Sequence, residues 1–140
     1  LTLVDVRFGL AELLTSNASI NAIVNGRVFP VLMPQGETRD SVTYTRITEL
    51  ESYKMDGPSG LIAARFQFDA WAQSIDSAQV LADLVKECLG GFAGQIQFAP
   101  PDYVNVQAIF LIDGRDDYDG VAQMHRMSRD YSVWYEDRNS

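Results

Sequence analysis

One broad amphipathic helix stands in the middle of a chain that otherwise reads mainly as strands, and this arrangement limits the fold more than any other feature. Between residues 74 and 89 the apolar side chains Ile75, Ala78, Leu81, Ala82, Val85, Cys88 and Leu89 recur every three or four positions, which gathers them on one face of a helix. Asp76, Gln79, Asp83, Lys86 and Glu87 fall on the other face. A stripe this wide has to be buried, and a sheet is the surface at hand. Either Ser74, or Asp76 with Gln79 three residues on, can cap the start, and Gly90-Gly91 stop the helix.

The flanking sequence supplies the strands. A shorter amphipathic pattern opens the chain over residues 3–14, with Leu3, Val6, Leu10, Leu13 and Leu14 in register, Thr2 as a cap and Asp5 in the first turn. Residues 18–24 suit a second short helix closed by Asn25-Gly26, a pair that tolerates left-handed dihedrals. Extended segments are expected at 27–30, 42–47, 64–71, 95–98, 103–112 and 122–135, where β-branched and aromatic residues concentrate. Turn formers predict an exposed loop at 33–40, a long hairpin tip at 51–60, a break at Pro100-Pro101 and an acidic hairpin loop at 113–120. The order lacks βαβ alternation, so the expected class is α+β: a mostly antiparallel sheet with helices packed on one face and a long hairpin loop. With 140 residues and no linker-like tract, residues 1–140 are expected to form a single domain with a core that needs neither disulfide nor metal.

Charge narrows the possible functions. Nineteen acidic against 11 basic residues give −8, the wrong sign for an affinity built on neutralising phosphates. An acidic wall can still let DNA pass without holding it. Cys88 is the only cysteine, so no intramolecular disulfide forms and a reducing compartment is expected. The longest apolar run, 108–112, has five residues where about 20 are needed to span a bilayer, so no membrane partner is expected. The first residues lack a signal-peptide pattern.

No convincing catalytic or cofactor site emerges. If Gly120 is aligned with the central glycine of an EF-hand loop, Arg115 and Arg126 fall where the first and last carboxylates belong. A cation site of another geometry at 113–120 stays open beside the plainer reading of a solvated turn. His125, Ser128 and Asp130 are close in sequence, but alternation along a strand puts His125 opposite the other two. Cys88 sits on the apolar stripe as a core thiol. The glycines at 90–94 lack the Lys and Ser/Thr of a phosphate loop and follow a helix. Trp71, Trp134, Tyr131 and Tyr135 read as core or cross-strand packing, and any that is exposed as a subunit contact. The expectation is no catalytic residue, no metal, no cofactor and no enzyme.

Three segments carry a resemblance. Gly26-Arg27-Val28-Phe29-Pro30, followed by Met33-Pro34-Gln35-Gly36 and Val42-Thr43-Tyr44-Thr45-Arg46-Ile47, is similar to the early signature of the phage and prophage tail-completion family. Arg65-Phe66-Gln67-Phe68-Asp69-Ala70-Trp71-Ala72 with the helix behind it resembles the family's central strand and helix. Met127 to Tyr135 resembles its closing strand. The resemblance implies a structural virion protein of the tail-terminator type, assembled in the host cytoplasm and placed at the head-proximal end of the tail. There it would cap the tube and join tail to head as a ring, expected to be a hexamer. The implied partners are copies of itself, the tail tube protein, a head-tail connector protein, and DNA that passes through without tight binding. No catalytic residues come with it. A ring needs two different complementary patches per subunit, and the candidate contacts are Met33, Gln35 and Arg39 in one loop and Tyr53, Lys54 and Met55 at the hairpin tip. Asp56, Asp116, Asp117 and Asp119 are candidates for an acidic lumen. A head-closure or tube subunit is the alternative, and a small-molecule-binding or enzymatic α+β domain a more distant one.

Overall fold

In a computed structural model the chain is described over residues 6–54, 57–97, 103–120 and 123–136, with the backbone alone at 51–54 and 57–59. Three helices and six strands follow one another as α1 (Val6–Thr15), α2 (Ala18–Val24), β1 (Val28–Pro30), β2 (Ser41–Lys54), β3 (Gly57–Ala72), α3 (Ile75–Leu89), β4 (Gly94–Gln97), β5 (Tyr103–Asp119) and β6 (Met124–Glu136). The strands form one mixed sheet in the order β1-β2-β3-β6-β5-β4. β1 lies parallel to β2, and each of the other neighbouring pairs is antiparallel. The class is α+β.

Local chemistry explains the helix ends. Ser74 caps α3 by accepting from the Ser77 amide at 3.1 Å, so the cap is Ser74 and not Asp76. Asn17 caps α2 through the Ile20 amide at 3.1 Å, and Asn25 ends it at φ 46°. An amide-bearing side chain tolerates that left-handed turn, which is why Asn25-Gly26 is legible as a stop. Of the first helix, Thr2, Leu3 and Asp5 lie outside the described residues, as does the Pro100-Pro101 break.

Alternation along the strands sorts side chains into two sets. Ile62, Ala64, Phe66, Phe68, Ala70 and Ala72 on β3 join Tyr131, Val133 and Tyr135 on β6 in one core with Leu10, Leu14, Ile20, Leu81, Val85 and Leu89 from the helices. α3 packs on β3, β5 and β6, while α1 reaches β1, β4 and β5. At the centre, Phe68 meets Tyr131 edge-on with ring centroids 5.7 Å apart, a favoured aromatic geometry. Gly9 on α1 is buried so closely against β5 that a Cβ there would come within 2.6 Å of Val104 Cγ1. The opposite set on β3 (Leu61, Ala63, Arg65, Gln67) is only partly buried; this is the outer face.

Tyr131 is fully buried, and its hydroxyl has no hydrogen-bond partner among the described residues. Burial pushes its pKa from the ordinary 10 up to about 12. The unfolded chain therefore releases this proton near pH 10 and the folded chain only near pH 12, so the native state binds more protons between them. Stability is unaffected below pH 10 and falls by about 3 kcal/mol across that window. Tyr131→Phe is expected to hold or raise stability by about 1 kcal/mol at pH 7, since it removes an unsatisfied buried hydroxyl. It should also flatten the alkaline fall. Urea unfolding midpoints of both proteins from pH 8 to 12 check this, and an equally steep fall in the variant would assign the effect to other groups.

Two expected loops are corrected. Residues 113–119 continue β5 instead of forming a hairpin loop. Asp and Gly are poor strand formers, but pairing with β6 overrides them: the ladder runs to Asp119↔Met124, and Arg126 Nη2 holds Asp117 Oδ2 at 2.8 Å across it. The long tip at 51–60 is likewise mostly strand, with Tyr53 paired to Pro58 and Lys54 to Gly57. The hairpin is long because its strands are long.

Candidate assembly surface

The outer face carries a polar network that crosses four strands. Asp130 on β6 is buried, and its Oδ2 accepts from Arg65 Nε at 3.0 Å and Nη2 at 2.7 Å. Arg115 of β5 approaches Asp130 Oδ1 at 3.5 Å and donates to Gln67 Oε1 at 2.7 Å. Gln67 donates in turn to Asp69 Oδ1 at 2.8 Å, and Thr43 reaches Asp69 Oδ2 at 3.4 Å. The Trp71 indole N–H donates to Thr43 Oγ1 at 2.9 Å, and the Arg126 guanidinium lies 5.4 Å from the Trp71 ring centre. The buried Asp130 charge is held by Arg65 on Oδ2 and faces Arg115 on Oδ1, which accepts no hydrogen bond among the described residues, while the buried Asp69 accepts from Gln67 and Thr43. The result is a face fixed in shape across β2, β3, β6 and β5.

One end of this face meets the loop between β1 and β2. Val31 adopts φ 66°, rare for a β-branched residue. The Leu32 amide donates to Pro30 O at 2.7 Å and the Val31 amide to Tyr44 O at 2.8 Å, closing a tight three-residue turn against β2. Strain of this kind is held where surroundings enforce it, and here it projects Leu32, 77% exposed. The loop overhangs a cleft of about 620 Å³ whose far wall is Trp71, Asp119 and Arg126. At the other end, Leu61, Ala108, Phe110 and half-buried Trp134 line a shallower cleft of about 610 Å³ together with Gln107 and Glu136, which are hydrogen-bonded to each other at 2.8 Å. Leu50 stands on the same face, level with Ala63. The apolar residues at this end were not expected from the sequence, although the alternation of Ala108 and Phe110 was a signal for them.

The expected contact residues divide accordingly. Met33 and Gln35 line the first cleft and come together with Asp119. Arg39 lies apart from that cleft and pairs with Glu37 at 3.0 Å. Tyr53 and Lys54 belong to the end of β2, while Met55 and Asp56 lie outside the described residues. Register places Asp117 and Asp119 on the outer face and Asp116 on the opposite one, so the acidic candidates do not share a face.

Chemistry remains sparse. His125 packs its ring against Tyr118 at 5.0 Å, Ser128 is buried, and Asp130 is committed to two arginines; these three make no relay. Burial raises the Cys88 thiol, which lies 3.6 Å from Leu13 O. Burial also raises Asp40, against the pull of Arg27, and the Arg129 hydrogen bond lowers Asp83. Among the described residues no three His, Cys, Asp or Glu side chains gather as metal ligands, and no helix is long and apolar enough to cross a membrane.

The family model described as tail completion protein gp17 matches residues 9–136. Among solved structures, a chain from the virion of a native gene transfer agent particle shares the fold, with a TM-score of 0.72, 14% identity and 91% of each chain covered. No curated protein matches the sequence significantly.

Proposed function

The chain belongs to the tail completion protein gp17 family, structural proteins of the phage virion tail, and from that premise we propose that it caps the head-proximal end of the tail tube and joins tail to head as a ring of expected six subunits. The observation that carries this reading is the family match over nearly the whole chain. A fold shared with a chain of a gene transfer agent virion supports it. In this reading the protein is one non-enzymatic domain whose helices cover one face of a mostly antiparallel sheet. The other face and its rims then serve neighbours: further copies, the tube protein on one side and a head connector on the other. The Met33–Gln35 loop and the tip residues Tyr53, Lys54 and Met55 are proposed contacts, with Arg39 beside them. Asp117 and Asp119, which share the outer face, are proposed together with Asp56 to keep passing DNA from adhering, a role that Asp116 on the opposite face does not join.

Light scattering over a concentration series, with and without purified tail tubes, tests the role. A discrete ring, or a fixed number of copies at one tube end, is expected. Unlimited polymers would indicate a tube subunit, and a monomer indifferent to tubes would overturn the proposal. Tyr53→Ala/Met55→Ala is expected to weaken ring formation or tail joining by about tenfold or more; unchanged joining removes the hairpin tip from the contact.

A further inference from the structure

Among the described residues, the sheet has two long rims with no strand beside most of their length. β1 flanks β2 only from Val42 to Tyr44, and β4 flanks β5 only from Tyr103 to Val106. Beyond these points, among the described residues, no strand pairs with the outer side of either; the Gly91 amide reaches Ile109 O, at 2.9 Å. The uncovered stretches are 45–54 on β2 and 107–119 on β5. Long unpaired strands are templates for another chain, and proteins ordinarily blunt them with charge, proline or brevity. Charge does sit on these rims, as Arg46, Glu49, Glu51 and Lys54 on β2 and Asp113 to Asp119 on β5, but among it they also expose aliphatic and aromatic side chains: Ile47 (46%) and Leu50 (73%) on β2, Phe110 (57%) and Ile112 (47%) on β5. Ile47 and Ile112 also sit where the inner ladders shift register, a twist that disfavours indiscriminate pairing.

Direction and level complete the match. β2 opposes β3, β3 opposes β6, and β6 opposes β5, so three reversals leave β2 and β5 antiparallel. Rotation about an axis along the strands preserves strand direction, so it brings β5 of one copy against β2 of the next in the antiparallel sense. The covered part of β2 is level with Asp116, and the covered part of β5 is level with Glu51. The free stretches therefore overlap at mid-height and are otherwise offset, as the stagger of tilted strands in a closed barrel requires. We propose that β2 of one copy pairs with β5 of the next through Ile47, Leu50, Phe110 and Ile112, joining the subunits' sheets around the ring. The occupant of each rim is a second copy of this chain. A head-to-tail contact of this kind uses two different patches and can close. The proposal rests on the ring reading above and names its interface.

Two variants separate the rims: Ile47→Asp/Leu50→Asp on β2 and Phe110→Asp/Ile112→Asp on β5. All four side chains are substantially exposed, and circular dichroism with thermal melts verifies the folds. Ring formation, alone or on purified tail tubes, is followed by native mass spectrometry. Each variant alone is expected to raise the concentration needed for rings by about tenfold or more. An equal mixture is expected to give heterodimers that stop there, because each pair has one intact contact and two blocked ends. Rings from both variants at the wild-type concentration would overturn the rim proposal and leave the ring reading standing. One inert variant beside one normal variant would show a contact other than β2 on β5. A wild-type protein that forms no ring, even on tubes, would instead overturn the ring reading, and the rim pairing with it.

Discussion

Phe66→Ala is expected to cost about 3–5 kcal/mol, enough to remove a large part of a small domain's stability. Phe66 is fully buried on β3, with β2 on one side and β6 on the other. Its ring centre lies 6.2 Å from that of Phe68, and the Arg46 guanidinium sits 5.3 Å above it. Truncation thus removes apolar burial, leaves a gap in a sheet that cannot close without moving its neighbours, and strips a cation–π contact from Arg46. Phe66→Leu keeps most of the volume and is expected to lose about a third as much. Urea and thermal unfolding measure both, with a fall in Tm of about 10–15 °C for alanine. A loss below about 2 kcal/mol would mean that the helices settle into the space.

Gly9 presents the opposite case, a position with no room. A Cβ would lie 2.6 Å from Val104 Cγ1 and 3.6 Å from Ile96. Val104 is a stiff β-branched residue, buried on a strand, so it cannot swing aside. For Gly9→Ala, overpacking of about 1–3 kcal/mol is partly offset by about 1 kcal/mol of helix propensity, leaving a modest net loss. Gly9→Leu gains the same propensity but must push α1 off β4 and β5, and it is expected to cost about 3 kcal/mol. Chemical denaturation of the three proteins checks the ordering. If alanine proved more stable than glycine, α1 would be free to shift outward.

The elements legible in the sequence are those whose signal is local. α3 announces itself by a helical period with Ser74 at one end and Gly90 at the other. α2 is marked by Asn25, and β3 by the alternation of Phe66, Phe68 and Ala70. What escaped depends on partners distant in the chain. Asp113, Gly114, Asp116 and Asp117 look like a turn and become strand because β6 lies beside them. Gly57 and Pro58 likewise suggest a tip, yet they extend β3 opposite Lys54 and Tyr53. The loop carrying Met33 and Gln35 was legible from its Pro and Gly, but the cleft it forms with Asp119 and Arg126 needed the fold. So did the two rims, since no residue states locally on which side its strand will be left without a neighbour.

The two tryptophans give the outer face a built-in optical contrast. Trp134 lies opposite Ala63 and Trp71 opposite Arg126, so the indoles sit about 26 Å apart along the strands, eight residues at about 3.3 Å each. Trp71 is nearly enclosed, with its N–H engaged by Thr43. Trp134 borders the shallower cleft beside Phe110. Its emission is consequently the one exposed to solvent relaxation, while that of Trp71 is shielded. Whatever settles over Phe110 must alter one fluorophore and spare the other, which makes the intrinsic spectrum of the unlabelled chain a position-sensitive report of which end of the face is occupied.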